Sequence, residues 1–158
     1  MASLIKLIQH RYWRWKTARM AVAGSGEIPL ARLGRPLSQA RVALITSGGV
    51  HHRYQPPFDC EAGDWTCRQI DGSSDLADLM ITHTHYDTAD ASADLNAIFP
   101  LDRLRELAAD GVIGSASPVH FGFMGYIPQW AALVQHTGPI MARTLREAGV
   151  HAVVASPG

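Results

Sequence analysis

The sequence predicts an α/β fold: an open, mostly parallel sheet with flanking helices, Rossmann-like or flavodoxin-like, and incomplete at its carboxyl terminus. Three observations carry this. Short apolar, β-branched runs alternate with stretches of helical periodicity. Short glycine turns connect them. The last run, His151 to Ala155, hands over to Ser156-Pro157-Gly158, where a parallel strand would pass into another turn and helix.

The first strand is Arg41 to Thr46 (RVALIT), stopped by Ser47-Gly48-Gly49. Residues 51–64 read as irregular, with Pro56-Pro57 and Gly63 as breakers, and Leu79 to Thr84 (LMITHT) as a second strand. Leu101, Leu104, Leu107 and Ala108 repeat at helical spacing between Pro100 and Gly111, predicting a helix over 101–110. Val112 to Gly114 is a third short strand. Residues 129–148 are helical with a break at Gly138-Pro139, and Gly149 stops that helix before the fourth strand.

Composition sets the class. The chain has 158 residues, 47% hydrophobic and 18% charged, with mean hydropathy −0.01, which is one globular domain. Fourteen basic and fourteen acidic side chains cancel, so no global charge argues for nucleic acid or a membrane surface. The balance hides an asymmetry: residues 1–26 hold Lys6, Arg11, Arg14, Lys16 and Arg19 and no acid. That segment reads as a basic amphipathic helix with Leu4, Ile8, Tyr12 and Trp15 on one face, followed by the α/β domain over 27–158. It has neither the apolar core of a secretory signal nor the length of a membrane span, which places the protein in the cytoplasm. Cys60 and Cys67 exclude a disulfide scaffold and a four-cysteine zinc module, and read as unpaired thiols.

Three clusters could carry chemistry. In Thr82-His83-Thr84-His85-Tyr86-Asp87, an extended strand would project His83, His85 and Asp87 to one side and Tyr86 to the other. Two imidazoles and a carboxylate can polarise a substrate carboxylate or bind a divalent metal. The pattern is similar to the opening of the metallo-β-lactamase zinc signature, except that position 88 is threonine where that signature has histidine. In the second cluster, Ser47, Gly48 and Gly49 follow a strand and precede His51, so backbone N–H groups and an imidazole could meet an anion. The third, Gly114 to Tyr126, sets Ser115 and Ser117 before His120 among aromatics, as one wall of a buried pocket; Phe121, Phe123, Met124 and Tyr126 read as core packing.

Read in order, ALITSGGVHHRYQPPFD, GDWTCRQI, THTHYDT, FPLDRLREL, GVIGSASPVHFGFMGYI and EAGVHAVVASPG resemble the selenoprotein B family of glycine, sarcosine, betaine and D-proline reductases over about residues 40–158. The resemblance implies reductive cleavage at the α-carbon of a small amino acid or amine. A selenolate or thiolate attacks and displaces the amino group, and a pyruvoyl-bearing partner subunit holds the amine. It further implies that His83, His85, Asp87 and His120 act catalytically, with Ser47, Gly48, Gly49, His51, Ser115 and Ser117 binding the amino-acid-like substrate. No metal or cofactor is expected on this chain. The nucleophile, selenocysteine or cysteine, is expected directly after Gly158, within reach of the histidines. Partners would be a pyruvoyl-bearing or thiol-reductant protein within a homo- or hetero-oligomer. Two other readings are a non-catalytic assembly subunit of such a complex and a metal-dependent hydrolase built on HTHYD.

Overall fold

The computed structural model describes residues 31–157. The chain divides into two compact units, Met1–Arg32 and Leu33–Gly158, and the elements below belong to the second. The expected basic helix of residues 1–26 and the position of Gly158 lie outside the described residues.

In chain order the elements are β1 (Arg41–Thr46), β2 (Val50–His52), β3 (Cys67–Asp71), β4 (Leu79–Ile81), α1 (Ala89–Ala93), α2 (Leu101–Ala109), β5 (Ser115–Ala116), β6 (Val119–Phe123), α3 (Trp130–Ala132), α4 (Gly138–Glu147) and β7 (Ala152–Ser156). β1 is the centre of the main sheet. On one side it pairs in parallel with β7, from Val42 opposite Ala152 to Thr46 opposite Ser156. On the other it pairs in parallel first with β5 and then with β6. β3 closes that edge antiparallel to β6, and β2 and β4 form a separate antiparallel pair. The α/β class with a mostly parallel sheet is therefore present, as a curled mixed sheet.

The alternation along β1 explains the layering. Val42 and Leu44 face one way, into a cluster with Val50, Ile70, Phe99 and the α2 residues Leu101 and Leu104. Ala43 faces the other way, into a smaller cluster with Val119, Phe121 and the α4 residues Met141 and Leu145. Both helices bury apolar residues three or four apart and end where a glycine takes positive φ, Gly111 at 72° and Gly149 at 70°.

Several expectations need correction. The second strand ends at Ile81, not Thr84, and pairs only with the three-residue β2. The third lies at Ser115–Ala116 because Val112 and Ile113 close the turn after α2, both donating to the Leu107 carbonyl. Pro139 does not break the helix. It falls in the first turn of α4, where no N–H is needed, and Leu133–Thr137 form a π-helical turn joining α3 to α4. β2, β3, β6 and α1 had no counterpart in the sequence reading. Gly122 hides β6 in a glycine-rich stretch, yet the strand requires it: a Cβ there would lie 1.9 Å from the Val50 carbonyl oxygen.

His120 solves a local problem in the sheet. Val42 faces Ala116 and Ile45 faces Phe121, so the β5–β6 side carries two extra residues. The Leu44 N–H thereby loses a ladder carbonyl, and the fully buried His120 Nδ1 accepts it at 2.9 Å. Ser117 fixes the same bulge, its Oγ donating to the Val119 carbonyl and accepting the Val119 N–H. Burial drives the His120 pKa down to about 4, against weaker support for the charged form from the Ser117 backbone.

The folded state thus holds His120 neutral below its ordinary 6.5. Its contribution is complete above that value and is lost as the pH falls towards 4, on the order of 3 kcal/mol in total. His120→Asn keeps an acceptor near Leu44 and does not titrate, whereas His120→Leu orphans that N–H at a cost of ~1–3 kcal/mol. In urea unfolding the Leu variant should be the less stable of the two at neutral pH. The native advantage over the Asn variant should shrink by about 2 kcal/mol between pH 7 and pH 5. A pH-independent difference would show that His120 is not held neutral.

Candidate active site at the carboxyl end of the central strands

Because β1, β6 and β7 run parallel, their carboxyl ends open on one side, where open α/β sheets place ligands. The backbone converges there on Ser47-Gly48-Gly49. The Ser47 N–H donates to the Ser156 carbonyl at the end of β7 (3.0 Å), the Gly49 N–H to the Phe123 carbonyl at the end of β6 (2.9 Å), and Gly48 bridges to Met124. Gly49 also accepts the Thr82 N–H at 2.9 Å, drawing in the chain that leaves β4. A Cβ on Gly49, whose φ is +74°, would sit 2.3 Å from the Thr82 oxygen. Only glycine fits.

This anchoring bends the segment after Ile81, so residues 84–86 are bends and the expected extended HTHYD strand does not form. His83, His85 and Asp87 do not project to one side as alternation required. His83 and His85 stay together, their rings edge to face at 5.8 Å. Asp87, just ahead of α1, accepts the Ala89 N–H at 3.0 Å. Among the described residues no three His, Cys, Asp or Glu side chains are grouped so as to hold a metal ion.

The hydrogen bonds fix what His83 can do. Its Nδ1 accepts the His85 N–H at 3.0 Å, so in the neutral ring the proton is on Nε2. That Nε2 points towards Ser47 and Gly125: a Cβ built on Gly125 would be 3.6 Å from it and 3.5 Å from the Ser47 carbonyl oxygen. Burial, reinforced by His85, lowers the His83 pKa below its ordinary value, so the ring is a neutral donor at pH 7. His85 is more exposed and stacks on Tyr126 with ring centroids 4.0 Å apart. Tyr86 packs against His83 at 4.7 Å and donates its hydroxyl to the Gly48 carbonyl at 2.9 Å.

The loops after β1 and β6, the end of β7 and the paired-histidine loop border this carboxyl-end crevice, and the sequence of the chain that carries them matches one family. The chain aligns with the glycine/sarcosine/betaine reductase selenoprotein B family over residues 4–157. It belongs to that family. It is 39% identical over 124 residues to the D-proline reductase subunit gamma of Acetoanaerobium sticklandii, covering 78% of this chain and 51% of that protein. It is 30% identical over 142 residues to the glycine reductase complex component B subunit gamma of Carboxydothermus hydrogenoformans, covering 87% and 32%. Against the betaine reductase complex component B subunit beta of Peptoclostridium acidaminophilum it is 27% identical over 139 residues, covering 85% and 32%. The chain thus spans about half the length of the first relative and about a third of the other two. No solved structure matches it significantly.

Within this family member, the ten residues singled out from the sequence divide by position. Ser47, Gly48, Gly49, His83 and His85 meet at the carboxyl end. His51 lies just beneath, fully buried, its ring nitrogens bound at 2.7 Å to the His52 carbonyl and to Thr82 Oγ1; burial lowers its pKa. Ser115 is at the opposite end of the sheet, level with Arg41, whose Nε donates to its hydroxyl at 3.3 Å. At ~3.3 Å per residue, that is about 16 Å from Thr46. Ser117 and His120 lie inside the sheet at the bulge, and Asp87 precedes α1, bound to the Ala89 N–H. Tyr86, Gly125 and Tyr126 join the crevice unforeseen. Alternation had pointed Tyr86 away and Tyr126 read as core, so only the bend after β4 reveals them. Among the described residues no helix is long and apolar enough to cross a membrane.

Two substitutions test this architecture by urea unfolding and amide exchange. Gly49→Ala should cost ~2 kcal/mol or more, because strain at positive φ adds to the clash with Thr82. Tyr86→Phe should cost ~1 kcal/mol and speed amide exchange in 47–49 and 82–86 while leaving the sheet protected. Unchanged exchange in both loops would mean that the hydroxyl does not join them.

Proposed function

We propose that this chain forms the substrate crevice of a selenocysteine- or cysteine-dependent reductase that cleaves a bond at the α-carbon of a small amino-acid-like or amine-type substrate. The observation that carries the reading is the Ser47–Ser156 hydrogen bond. It fixes the end of β7 against the glycine turn that also holds the histidine loop. A selenol or thiol residue following β7 would enter the same crevice, at the end of the sheet where ligands bind.

The chain's own groups then have distinct tasks. The His83 Nε2–H donates to the substrate carboxylate, and the Tyr126-stacked His85 forms an exposed wall beside it. Gly48 and Gly49 let substrate approach the backbone without a side chain in the way. The anionic chalcogen attacks the α-carbon, a carbon–chalcogen bond forms, and the carbon–nitrogen bond breaks with its electron pair leaving on nitrogen. A pyruvoyl-bearing partner subunit holds the amine, and a thiol reductant supplies the electrons that free the product. Both are partners outside this chain, consistent with relatives that are subunits of multi-component reductases.

The test uses the assembled reductase containing this chain. His83→Ala should lower kcat/KM about 100-fold, the loss of one hydrogen bond to a charged group, with native stability retained. His83→Gln, which keeps an amide N–H near the position of Nε2, should recover part of that loss. His85→Ala should reduce turnover without unfolding the chain. Full activity in His83→Ala would overturn the assignment, and so would loss of a bound metal together with the fold.

A further inference from the structure

A second cavity lies outside the crevice. It measures about 500 Å³, a normal size for a small-molecule site, and is a half-open cleft bordered by β4, the turn over Leu76–Asp78 and the end of α1. Its lining has three parts. Leu76, Met80, Ile81 and Leu95 make an apolar bed. Arg53 contributes a cation whose Nε is spent on the Ala77 carbonyl at 3.1 Å, leaving its terminal nitrogens for another acceptor. Asp94 contributes an anion: one oxygen accepts the Asn96 N–H at 3.0 Å and the other remains uncommitted. Neither joins an ion pair among the described residues, although both border one cavity.

We propose that this cavity is a second ligand site, selective for a small zwitterion with an apolar side chain, and that its occupancy acts on the histidine loop. A carboxylate answers Arg53, an ammonium answers Asp94, and a branched hydrocarbon covers Met80 and Leu95. The coupling follows from chain connectivity. β4 runs from this cavity straight into Thr82-His83, and Asp87 holds the first N–H of the α1 helix, whose far end is the opposite wall. A ligand that holds these walls together holds both ends of the 82–88 loop, and so changes how freely His83 moves.

The probe is L-leucine, titrated into the full chain to about 10 mM, where a millimolar Kd is well populated. The readouts are NMR signals of the Met80 methyl and the His83 ring. Leucine should shift Met80 saturably and displace His83 indirectly. 4-Methylpentanoate and isoamylamine, each carrying one of the two charges, should bind at least about tenfold more weakly. Arg53→Gln and Asp94→Asn should weaken leucine binding to a similar degree; the Asn variant retains the acceptor for Asn96 and therefore the turn. Three results would overturn the proposal: no Met80 shift, equal binding of the single-charge analogues, or a Met80 shift that leaves His83 unmoved. The site does not depend on the reductase reading, since none of its residues is in the crevice.

Discussion

Everything at the carboxyl end of this sheet depends on the backbone of Gly48 and Gly49. Two residues without side chains are bound to the end of β6 through Phe123 and Met124, and to the histidine loop through Thr82 and through Tyr86, whose hydroxyl the Gly48 carbonyl accepts. Space is the constraint. A Cβ on Gly48 would lie 2.7 Å from Ile98 Cδ1, and one on Gly49 would meet the Thr82 carbonyl. The parallel strands supply a row of carboxyl ends. The glycines decide that a segment with no strand in the main sheet is drawn across those ends.

The core beneath has its own polar solution. A bulge in a buried parallel ladder leaves an N–H with no carbonyl, and burying such a group unpaired costs about as much as a good hydrophobic contact gives. His120 supplies a nitrogen acceptor in place of the missing oxygen, and Ser117 ties off the bend beside it. Both residue types suggest catalysis when met in a sequence. In this sheet their hydrogen bonds are directed at backbone, and they keep the ends of β1 and β6 in register. That registry brings Thr46 level with Gly122 and Ser156, so that the Ser47 N–H meets the Ser156 carbonyl. Their influence on the crevice passes through strand alignment.

How much of this was legible follows from where the information resides. β1, α2, α4 and β7 could be read within a residue or two, because apolar spacing and a closing glycine are local signals. THTHYDT was legible as a site but not in its geometry. Alternation assumes an extended chain, whereas Thr82 is captured by Gly49, more than thirty residues earlier, and after the turn that follows Asp87 holds the Ala89 N–H. Such capture has no local signature. β3 and β6 were missed for a related reason. CRQID is polar on its exposed positions and VHFGF contains glycine; the two pair with each other over five residues, and β6 also pairs with β1, partners that no local pattern names. Tyr86 and Tyr126 then follow, since their roles depend on loops that those strands bring together.

The electrostatics of the crevice follow from the same bend. Had the segment stayed extended, a carboxylate would accompany two imidazoles and favour cationic partners. With an Asp87 oxygen held by the Ala89 N–H, what remains beside Ser47 is an imidazole held neutral by burial, its proton on the nitrogen facing Ser47 and Gly125. A neutral donor stabilises a carboxylate or a developing anion without an ion pair, and its strength changes little between pH 7 and 8 because the ring is already deprotonated there. The same group cannot balance positive charge on a substrate amine. Under the proposed chemistry, that charge must be removed or covered by a group from outside this chain. Under that same proposal, the need for an outside group has a local cause: the carboxylate next to the histidines accepts the Ala89 N–H ahead of α1 instead of standing on one edge with them.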